Sequence, residues 1–246
     1  MSYLILGASS GLGREIANIL AKNLNNIIII SRHIKDLDAI KSDLETKFKV
    51  NVKCFAVDLS SFEDVKTFLD SNQNLLEEIN GVLFPAGMME PSDSILNEMS
   101  VSNKLMQANM GSITYFVSKI FPIFLKKNAG CIVGFGSVAS LFGRNINTVY
   151  AASKRGLESV FESLAITALN SELKIQFYNI GYLDTNLSYA KKLLLPKGSV
   201  KKLAKIVYKN LNKNYKKKYY PLWWVVIVVA IKILPFSFIR FIYKFI

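Results

Sequence analysis

The chain has 246 residues, a formal net charge of +13 and a hydrophobic fraction of 51%. This length and apolar content predict one folded α/β domain with a large core and exclude a disordered or fibrous chain. A single histidine, His33, excludes a metal site built from several histidines, and we predict no metal.

Short apolar runs alternate with helical patterns through the first 180 residues. We predict strands at 3–6, 27–30, 50–56, 81–84, 131–135 and 175–179, and helices at 12–24, 34–48, from 60 onward, 102–127 and 148–170. Runs such as 27–30 are continuously apolar, as expected for strands that are covered on both faces, whereas 50–56 alternates. This alternation predicts a Rossmann-type, doubly wound parallel sheet in a single domain. Both cysteines, Cys54 and Cys131, fall in predicted strands and are expected to be buried thiols.

A glycine-rich segment connects the first strand to the first helix. Glycines allow a tight turn, and the helix N-terminus presents backbone N–H groups to a pyrophosphate. We therefore predict a dinucleotide site here. Its residues are Gly7, Ser9, Ser10, Gly11, Leu12 and Gly13.

The end of the second strand indicates which dinucleotide is bound. A site for NAD usually has a carboxylate at this point, about 20 residues beyond the glycines. This chain has Arg32 instead, and a guanidinium can bind a 2′-phosphate with two hydrogen bonds. The sequence thus favours NADP(H), with NAD(H) not excluded. Asp58 and Leu59, just past the third strand, are placed to meet the adenine.

A Tyr-Ala-Ala-Ser-Lys segment carries the predicted chemistry. Tyr150 and Lys154 are four residues apart, so they share one face of a helix. A nearby ammonium favours the phenolate and lets a tyrosine exchange a proton at neutral pH. Ser137, at the end of the fifth strand, can hydrogen-bond a substrate oxygen, and Asn109 can hold a water for a proton relay.

Together these motifs resemble the short-chain dehydrogenase/reductase family over about residues 3–185. The resemblance implies hydride transfer between a nicotinamide and a carbonyl or carbinol carbon. It implies Tyr150 as the acid/base, Ser137 as the residue that positions the carbonyl, and Lys154 as the group that lowers the tyrosine pKa and binds the ribose. It also implies Asn109 as the fourth member of a tetrad, and it adds Ala86, Gly87, Gly181 and Thr185 to the cofactor site.

Two segments depart from the family pattern. The usual Asn-Asn-Ala-Gly after the fourth strand is Phe-Pro-Ala-Gly at 84–87, so two amide side chains are missing beside the cofactor. The usual Pro-Gly after the sixth strand is Ile-Gly at 180–181, which puts the rigidity of that loop in doubt.

The C-terminal quarter is cationic and apolar. Residues 185–246 carry thirteen Lys, one Arg and no acidic residue, whereas residues 1–184 sum to −1. A helix over 222–234 would reach about 20 Å, which is short of a bilayer core of about 30 Å. We expect a helical pair, broken at Pro235, that lies on an anionic membrane with Trp223, Trp224 and Lys218 at the interface. The alternatives are that Val225–Val229 is a buried strand or that the tail packs on a partner subunit.

The sequence therefore divides into a catalytic core (1–190), a Lys-rich substrate region (191–218) and a membrane-associating segment (219–246). No signal peptide is recognisable, so we expect a peripheral or monotopic protein on the cytoplasmic side of a membrane.

The order of features in the tail more loosely resembles the family branch that reduces decaprenylphosphoryl 2-keto-pentose. We predict an NADP(H)-dependent reductase of a ketone on a lipid or lipid-linked sugar, in which Lys191, Lys192 or Lys197 could hold a lipid phosphate. A homodimer is expected and nucleic acid is not. The alternatives are a soluble carbonyl reductase and a non-catalytic NADP-binding subunit of a membrane complex.

Overall fold

The computed structural model describes residues 1–184, 196–213 and 217–242. Seven parallel strands form one sheet in the order β3-β2-β1-β4-β5-β6-β7. The strands are β1 (Ser2–Leu6), β2 (Asn26–Ser31), β3 (Val52–Ala56), β4 (Gly81–Phe84), β5 (Cys131–Ser137), β6 (Lys174–Ile180) and β7 (Lys217–Tyr220). The order reverses between β1 and β4, which in open parallel sheets opens a ligand crevice at the carboxyl ends of the strands.

Helices cover both faces of the sheet. They are α1 (Gly11–Lys22), α2 (Ile34–Phe48), α3 (Phe62–Ser71), α4 (Gln73–Glu78), α5 (Met99–Met106), α6 (Ser112–Lys127), α7 (Thr148–Thr167), α8 (Val200–Asn210), α9 (Trp224–Ile233) and α10 (Phe236–Ile242). A π-turn (Gln107–Gly111) joins α5 to α6, and a 3₁₀ turn (Val138–Ser140) follows β5. Helices α1, α2 and α8 pack on one face of the sheet, and α3, α6 and α7 pack on the other. The predicted single-domain Rossmann architecture is confirmed.

The C-terminal part of the chain contains elements that the sequence did not indicate. Strand β7 extends the sheet beside β6, and its Lys217 bonds Glu162 of α7 at 3.2 Å and also pairs with Glu158. Lysines on an edge strand discourage pairing with another chain. Because β7 contains lysines, it is not an apolar run, and the sequence did not predict it as a strand. The predicted domain boundary at 218/219 falls inside β7.

The tail is helical, as expected, and not a buried strand. Helix α9 ends at Ile233, and α10 begins directly after Pro235. Within the described ranges, no helix is long and apolar enough to cross a membrane.

The two cysteines differ in burial. Cys131 in the central strand β5 is buried, and burial raises the pKa of its thiol to about 12. Cys54 is only half-buried because β3 lies at the sheet edge, so the prediction of a buried thiol is wrong for this residue.

Candidate active site

The glycine-rich loop lies at the carboxyl end of β1. Gly7 has φ +89°, and a Cβ on Gly13 would lie 2.1 Å from the Gly7 carbonyl oxygen, so the turn closes only around glycine. Ser10 is the N-cap of α1 but makes no capping side-chain bond. The first amides of α1 therefore keep their donor capacity for an anion, which suits a pyrophosphate. Ser9 and Gly11 are half-buried in this loop, and Leu12 is anchored in the core.

The adenosine end of the crevice is bordered by β2 and β3. Arg32 follows β2 directly and is exposed. Asp58 accepts hydrogen bonds from the backbone N–H and the hydroxyl of Ser60, both at 2.8 Å, which orient its carboxylate. The Leu59 carbonyl accepts the Ser112 hydroxyl at 2.6 Å. These contacts hold the loop after β3 at the same edge of the sheet as the glycine-rich loop.

Three predicted catalytic residues converge where β4, β5 and α7 meet. The Ser137 hydroxyl accepts the Ala139 N–H at 3.1 Å, and it acts on the Tyr150 phenol by lowering the pKa of that group. Lys154, one turn further along α7, is only 3% exposed. Its Nζ donates to the carbonyls of Ala86 and Phe135, each at 3.2 Å.

The charges at this site are set mainly by burial. Burial raises the pKa of the Tyr150 phenol, while the Ser137 hydrogen bond and the Arg144 cation lower it less strongly. Burial also lowers the pKa of the Lys154 ammonium to about 8. The expected lowering of the tyrosine pKa by Lys154 stays a prediction. The Lys154 ammonium is held by the Ala86 and Phe135 carbonyls, and the lowering effects come from Ser137 and Arg144.

Asn109 lies in the π-turn and is fully buried. Its side chain accepts the Met88 N–H and donates to the Met88 carbonyl, both at 2.8 Å, which fixes the loop after β4. A Cβ on Gly87 would lie 3.7 Å from Lys154 Nζ and 3.8 Å from Asn109 Oδ1, so these groups border one small space. A π-turn inside a helix often marks a functional site. The role of Asn109 in holding a water stays a prediction.

Gly181 and Tyr182, directly after β6, are held by contacts that the sequence did not reveal. The Gly181 N–H donates to the Tyr220 carbonyl at 2.8 Å. Trp224 of α9 packs so closely that a Cβ on Gly181 would lie 1.8 Å from its indole nitrogen. Trp224 also contacts the Tyr182 ring edge-on, with centroids 6.0 Å apart. The tail thus packs directly on Gly181 and Tyr182, where the family pattern would have a proline beside the glycine.

Several predictions about the tail need correction or lie outside the described residues. Trp224 is 7% exposed and belongs to the core, so it does not lie at an interface as predicted. Lys218 lies over the Tyr178 ring, with its Nζ 5.4 Å from the ring centroid. Thr185, Lys191 and Lys192 lie outside the described residues.

No group of histidine, cysteine, aspartate or glutamate side chains suited to a metal occurs in the part of the chain that the structure describes. Of two further residues that matter at this site, Asp93 was not identified from the sequence, and Trp224 was assigned to the membrane interface instead. Asp93 is a buried carboxylate that bonds the backbone of Tyr150 at 2.9 Å. Neither position carries a local signal, because each acts on a segment far away in the sequence.

A parallel sheet with a phosphate-binding turn at its reversal point, beside a Ser-Tyr-Lys cluster, defines a nucleotide-dependent oxidoreductase fold. Residues 2–193 match the family described as short chain dehydrogenase, and the chain belongs to that family. It is an oxidoreductase that acts on hydroxyl or carbonyl groups.

Individual relatives are distant but cover most of the chain. An NADP-dependent 3-hydroxy acid dehydrogenase of Schizosaccharomyces pombe is 25% identical over 76% of this chain and 73% of its own. A very-long-chain 3-oxoacyl-CoA reductase of Bos taurus is 25% identical over 92% of this chain and 73% of its own. Among solved structures, a short-chain dehydrogenase from Sphingobium yanoikuyae in complex with NADPH superposes with a TM-score of 0.81. It is 21% identical and covers 93% of this chain and 92% of its own.

Proposed function

We propose that the protein is an NADP(H)-dependent reductase of a ketone on a lipid or lipid-linked sugar, working at a membrane surface. The observation that carries this proposal is the position of the tail. Helix α9 follows the carboxyl end of β7 and is attached to Gly181 through Trp224, and α10 follows it after Pro235. The start of the tail therefore lies at the edge of the sheet where the Tyr150 cleft opens.

The cofactor assignment rests on the residues at the carboxyl edge of β1 and β2. The first-turn amides of α1 suit a pyrophosphate, and the exposed Arg32 suits a 2′-phosphate. The names of the yeast relative and of the Sphingobium complex, which specify NADP and NADPH, support the same choice. NAD(H) is the competing cofactor in the tests below.

The chemistry follows from the protonation of the site. A reduced nicotinamide, when bound, supplies a hydride to the carbonyl carbon. Because burial raises its pKa, Tyr150 keeps its phenolic proton at neutral pH and can donate it from Oη to the carbonyl oxygen. Ser137 Oγ accepts the Ala139 N–H, so its hydroxyl proton can be donated to the carbonyl oxygen when a substrate is bound. The Lys154 ammonium stabilises the phenolate that remains and keeps a donor for the ribose.

The exposed surface of the tail supports action at a lipid surface. Helix α9 buries Trp224 and Val228, but it leaves Val226 72% and Ile233 76% exposed. Within the described part of the tail, six more large apolar side chains are exposed: Leu222, Val225, Val229, Phe236, Phe238 and Phe241. Contiguous exposed apolar residues mark interaction sites, and bilayers attract them together with flanking cations.

A second exposed apolar group lies at the same edge of the sheet. The loop between β4 and α5 exposes Ile95 by 81% and Leu96 by 89%, and Met99 at the start of α5 is 74% exposed. This loop borders the cleft because its Asp93 bonds the backbone of Tyr150. With the tail, it gives the mouth of the cleft two apolar borders, which suits a substrate that arrives from a lipid phase.

Helix α8 adds exposed positive charge to the C-terminal part of the chain. Leu203, Ala204 and Val207 bury one side of α8, and Lys201 and Lys205 are exposed on the other. Each lysine near an anionic leaflet contributes roughly 1 kcal/mol to binding. The name of the bovine relative, which specifies a very-long-chain acyl substrate, adds support because that alignment extends to 92% of this chain.

A soluble carbonyl reductase is the second candidate. The observation that favours it is the yeast relative, whose name specifies a 3-hydroxy acid rather than a lipid. In that case the exposed tail would meet a partner protein or a second copy of the chain. The two candidates share the cleft chemistry and differ in the phase from which the substrate arrives.

The decisive experiment is NADPH oxidation by the purified protein, with lipid extract and aqueous extract of the source cells offered separately. Lipid-dependent turnover that is lost in Tyr150→Phe supports the proposal. Turnover with the aqueous extract alone would replace it by the soluble reductase. The same assay with NADH decides the cofactor.

Membrane attachment is tested separately by flotation with vesicles that contain an anionic phospholipid. A Val226→Glu/Val229→Glu variant changes two side chains on the exposed side of α9 and should lose vesicle binding. Leu24→Glu is the matched control, since Leu24 is 75% exposed at the opposite edge of the sheet, and it should bind like the wild type. Equal binding of all three proteins would contradict the docking surface.

A further inference from the structure

The catalytic helix α7 lacks a local N-terminal cap. Its N-cap residue, Asn147, has a left-handed φ of +54°, and its side chain makes no capping bond. The first N–H groups of a helix have no partner within the helix, and leaving them unpaired is costly where they are buried. Tyr150 stands in this first turn, so whatever binds these amides also sets the position of the phenol.

Asp93, more than fifty residues upstream, binds the first N–H groups of α7 instead. Its Oδ1 accepts the Val149 N–H at 3.0 Å, and its Oδ2 accepts the Tyr150 N–H at 2.9 Å. Its backbone carbonyl accepts the Asn147 N–H at 2.8 Å. Three successive contacts thus join the loop after β4 to the first turn of α7.

The carboxylate is well compensated where it lies. Asp93 is 2% exposed, and Asn97 Nδ2 donates to its Oδ1 at 3.0 Å. A buried carboxylate is costly unless hydrogen bonds or positive charge offset its desolvation. Here the three donors and the positive end of a 20-residue helix do so.

We propose that Asp93 is a positioning residue for catalysis, which holds the backbone of Tyr150 so that its phenol stays within hydrogen-bond reach of Ser137. Asp93 touches no reacting atom and acts through Tyr150. Its removal leaves two amides of the first turn unpaired, and the turn then relaxes toward solvent. A displacement of about 1 Å at a reacting group can lower a rate roughly 100-fold.

The inference rests on Tyr150 being the proton donor of the proposed function. Two variants separate the contacts. Asp93→Ala removes both acceptors. Asp93→Asn keeps an oxygen for Val149 and places an NH₂ group against the Tyr150 N–H. Ser199→Ala is the matched control, because Ser199 caps α8 by accepting the Lys202 N–H and is not part of the catalytic cluster.

The first measurement is the ionisation of Tyr150, taken as the difference in ultraviolet absorbance titration between each protein and its Tyr150→Phe counterpart. Ser137 lowers the pKa of the Tyr150 phenol, so displacing the phenol from Ser137 should move this titration upward in both Asp93 variants and not in Ser199→Ala. Hydrogen exchange of the peptide spanning 147–152 should accelerate at least tenfold in the Asp93 variants alone. Binding of 2′,5′-ADP, a probe for the adenosine half of the site, should stay within twofold of the wild type.

An unchanged Tyr150 titration in a folded Asp93→Asn protein would overturn the positioning role, as would equal exchange in Asp93→Asn and Ser199→Ala. These readouts need no substrate, so they decide the role of Asp93 even if no ketone is turned over, an outcome that counts against the proposed function instead. With a ketone that the wild type reduces, kcat should fall 10- to 100-fold in the Asp93 variants, and Asp93→Asn should keep a higher kcat than Asp93→Ala. The KM for NADPH should stay nearly unchanged.

Discussion

Replacing Lys154 by methionine should stabilise the unliganded protein at neutral pH while abolishing its activity. The Lys154 ammonium is 3% exposed, and its partners are two carbonyl oxygens. Burial lowers its pKa from 10.5 to about 8. That change corresponds to about 3 kcal/mol of cost for keeping the lysine charged in the folded state at pH 7. Methionine has a similar length and carries no charge.

The net gain is smaller because the two carbonyls lose their donor. Each lost hydrogen bond costs about 1 kcal/mol, so the variant should be more stable than the wild type by about 1 kcal/mol at pH 7. Above pH 8 the folded wild type sheds the lysine proton, whereas the unfolded chain keeps it until pH 10.5. Unfolding then takes up a proton, so the stability of the wild type rises with pH across this window.

The relative stability of the two proteins should therefore reverse. Between pH 7 and pH 10 the wild type gains about 2.5 kcal/mol that the variant cannot gain, which leaves the variant less stable by about 1.5 kcal/mol. Urea unfolding of both proteins at the two pH values measures this, with Lys53→Met, at an exposed lysine of β3, as a control that should show no pH-dependent difference. A difference between wild type and Lys154→Met that stays constant from pH 7 to pH 10 would refute the reasoning.

The remaining predictions concern the cofactor, the glycine turn and the support of the β6 loop. Arg32→Asp should weaken NADPH binding by at least tenfold more than NADH binding, because the new carboxylate repels a 2′-phosphate and can bond a ribose hydroxyl. Titration calorimetry with both cofactors measures the two losses of affinity, and equal losses would contradict the prediction. Gly13→Ala should abolish binding of either cofactor, since its Cβ would lie 2.1 Å from the Gly7 carbonyl oxygen and would force the turn open. Trp224→Ala should lower the free energy of unfolding by about 3–5 kcal/mol, because it leaves a cavity over Gly181. Urea denaturation measures this loss, and a loss below about 1 kcal/mol would show that α9 does not support Gly181.

The sheet and the nucleotide site were predictable because their signals are local. Continuous apolar runs such as Ile27–Ile30 indicate covered strands, and the glycine loop lies between a strand and a helix. The spacing of Tyr150 and Lys154 places both on one face of α7, and the structure keeps them there. Ser137 ends β5, Gly87 follows β4, and Tyr150 lies in the first turn of the helix after β5. All three therefore lie at one edge of the sheet, because parallel strands end on the same side.

The contacts that decide how the site works are not local. Asp93 resembles any loop aspartate until the fold brings it to the first turn of α7, and Trp224 resembles an interfacial tryptophan until α9 folds over Gly181. Lys217 and Lys218 read as part of a cationic anchor, yet β7 places them beside Glu162 and Tyr178.

The sequence by itself determined the family and the parallel sheet, and it predicted the proton-transfer groups, because periodicity and motif spacing act within one or two elements. Only the tertiary structure decided that burial outweighs every nearby charge in setting the pKa of Tyr150, and that the tail supports the cofactor loop while exposing its apolar face. Desolvation and packing depend on all the atoms that surround a group, and those atoms come from segments that are distant in the chain.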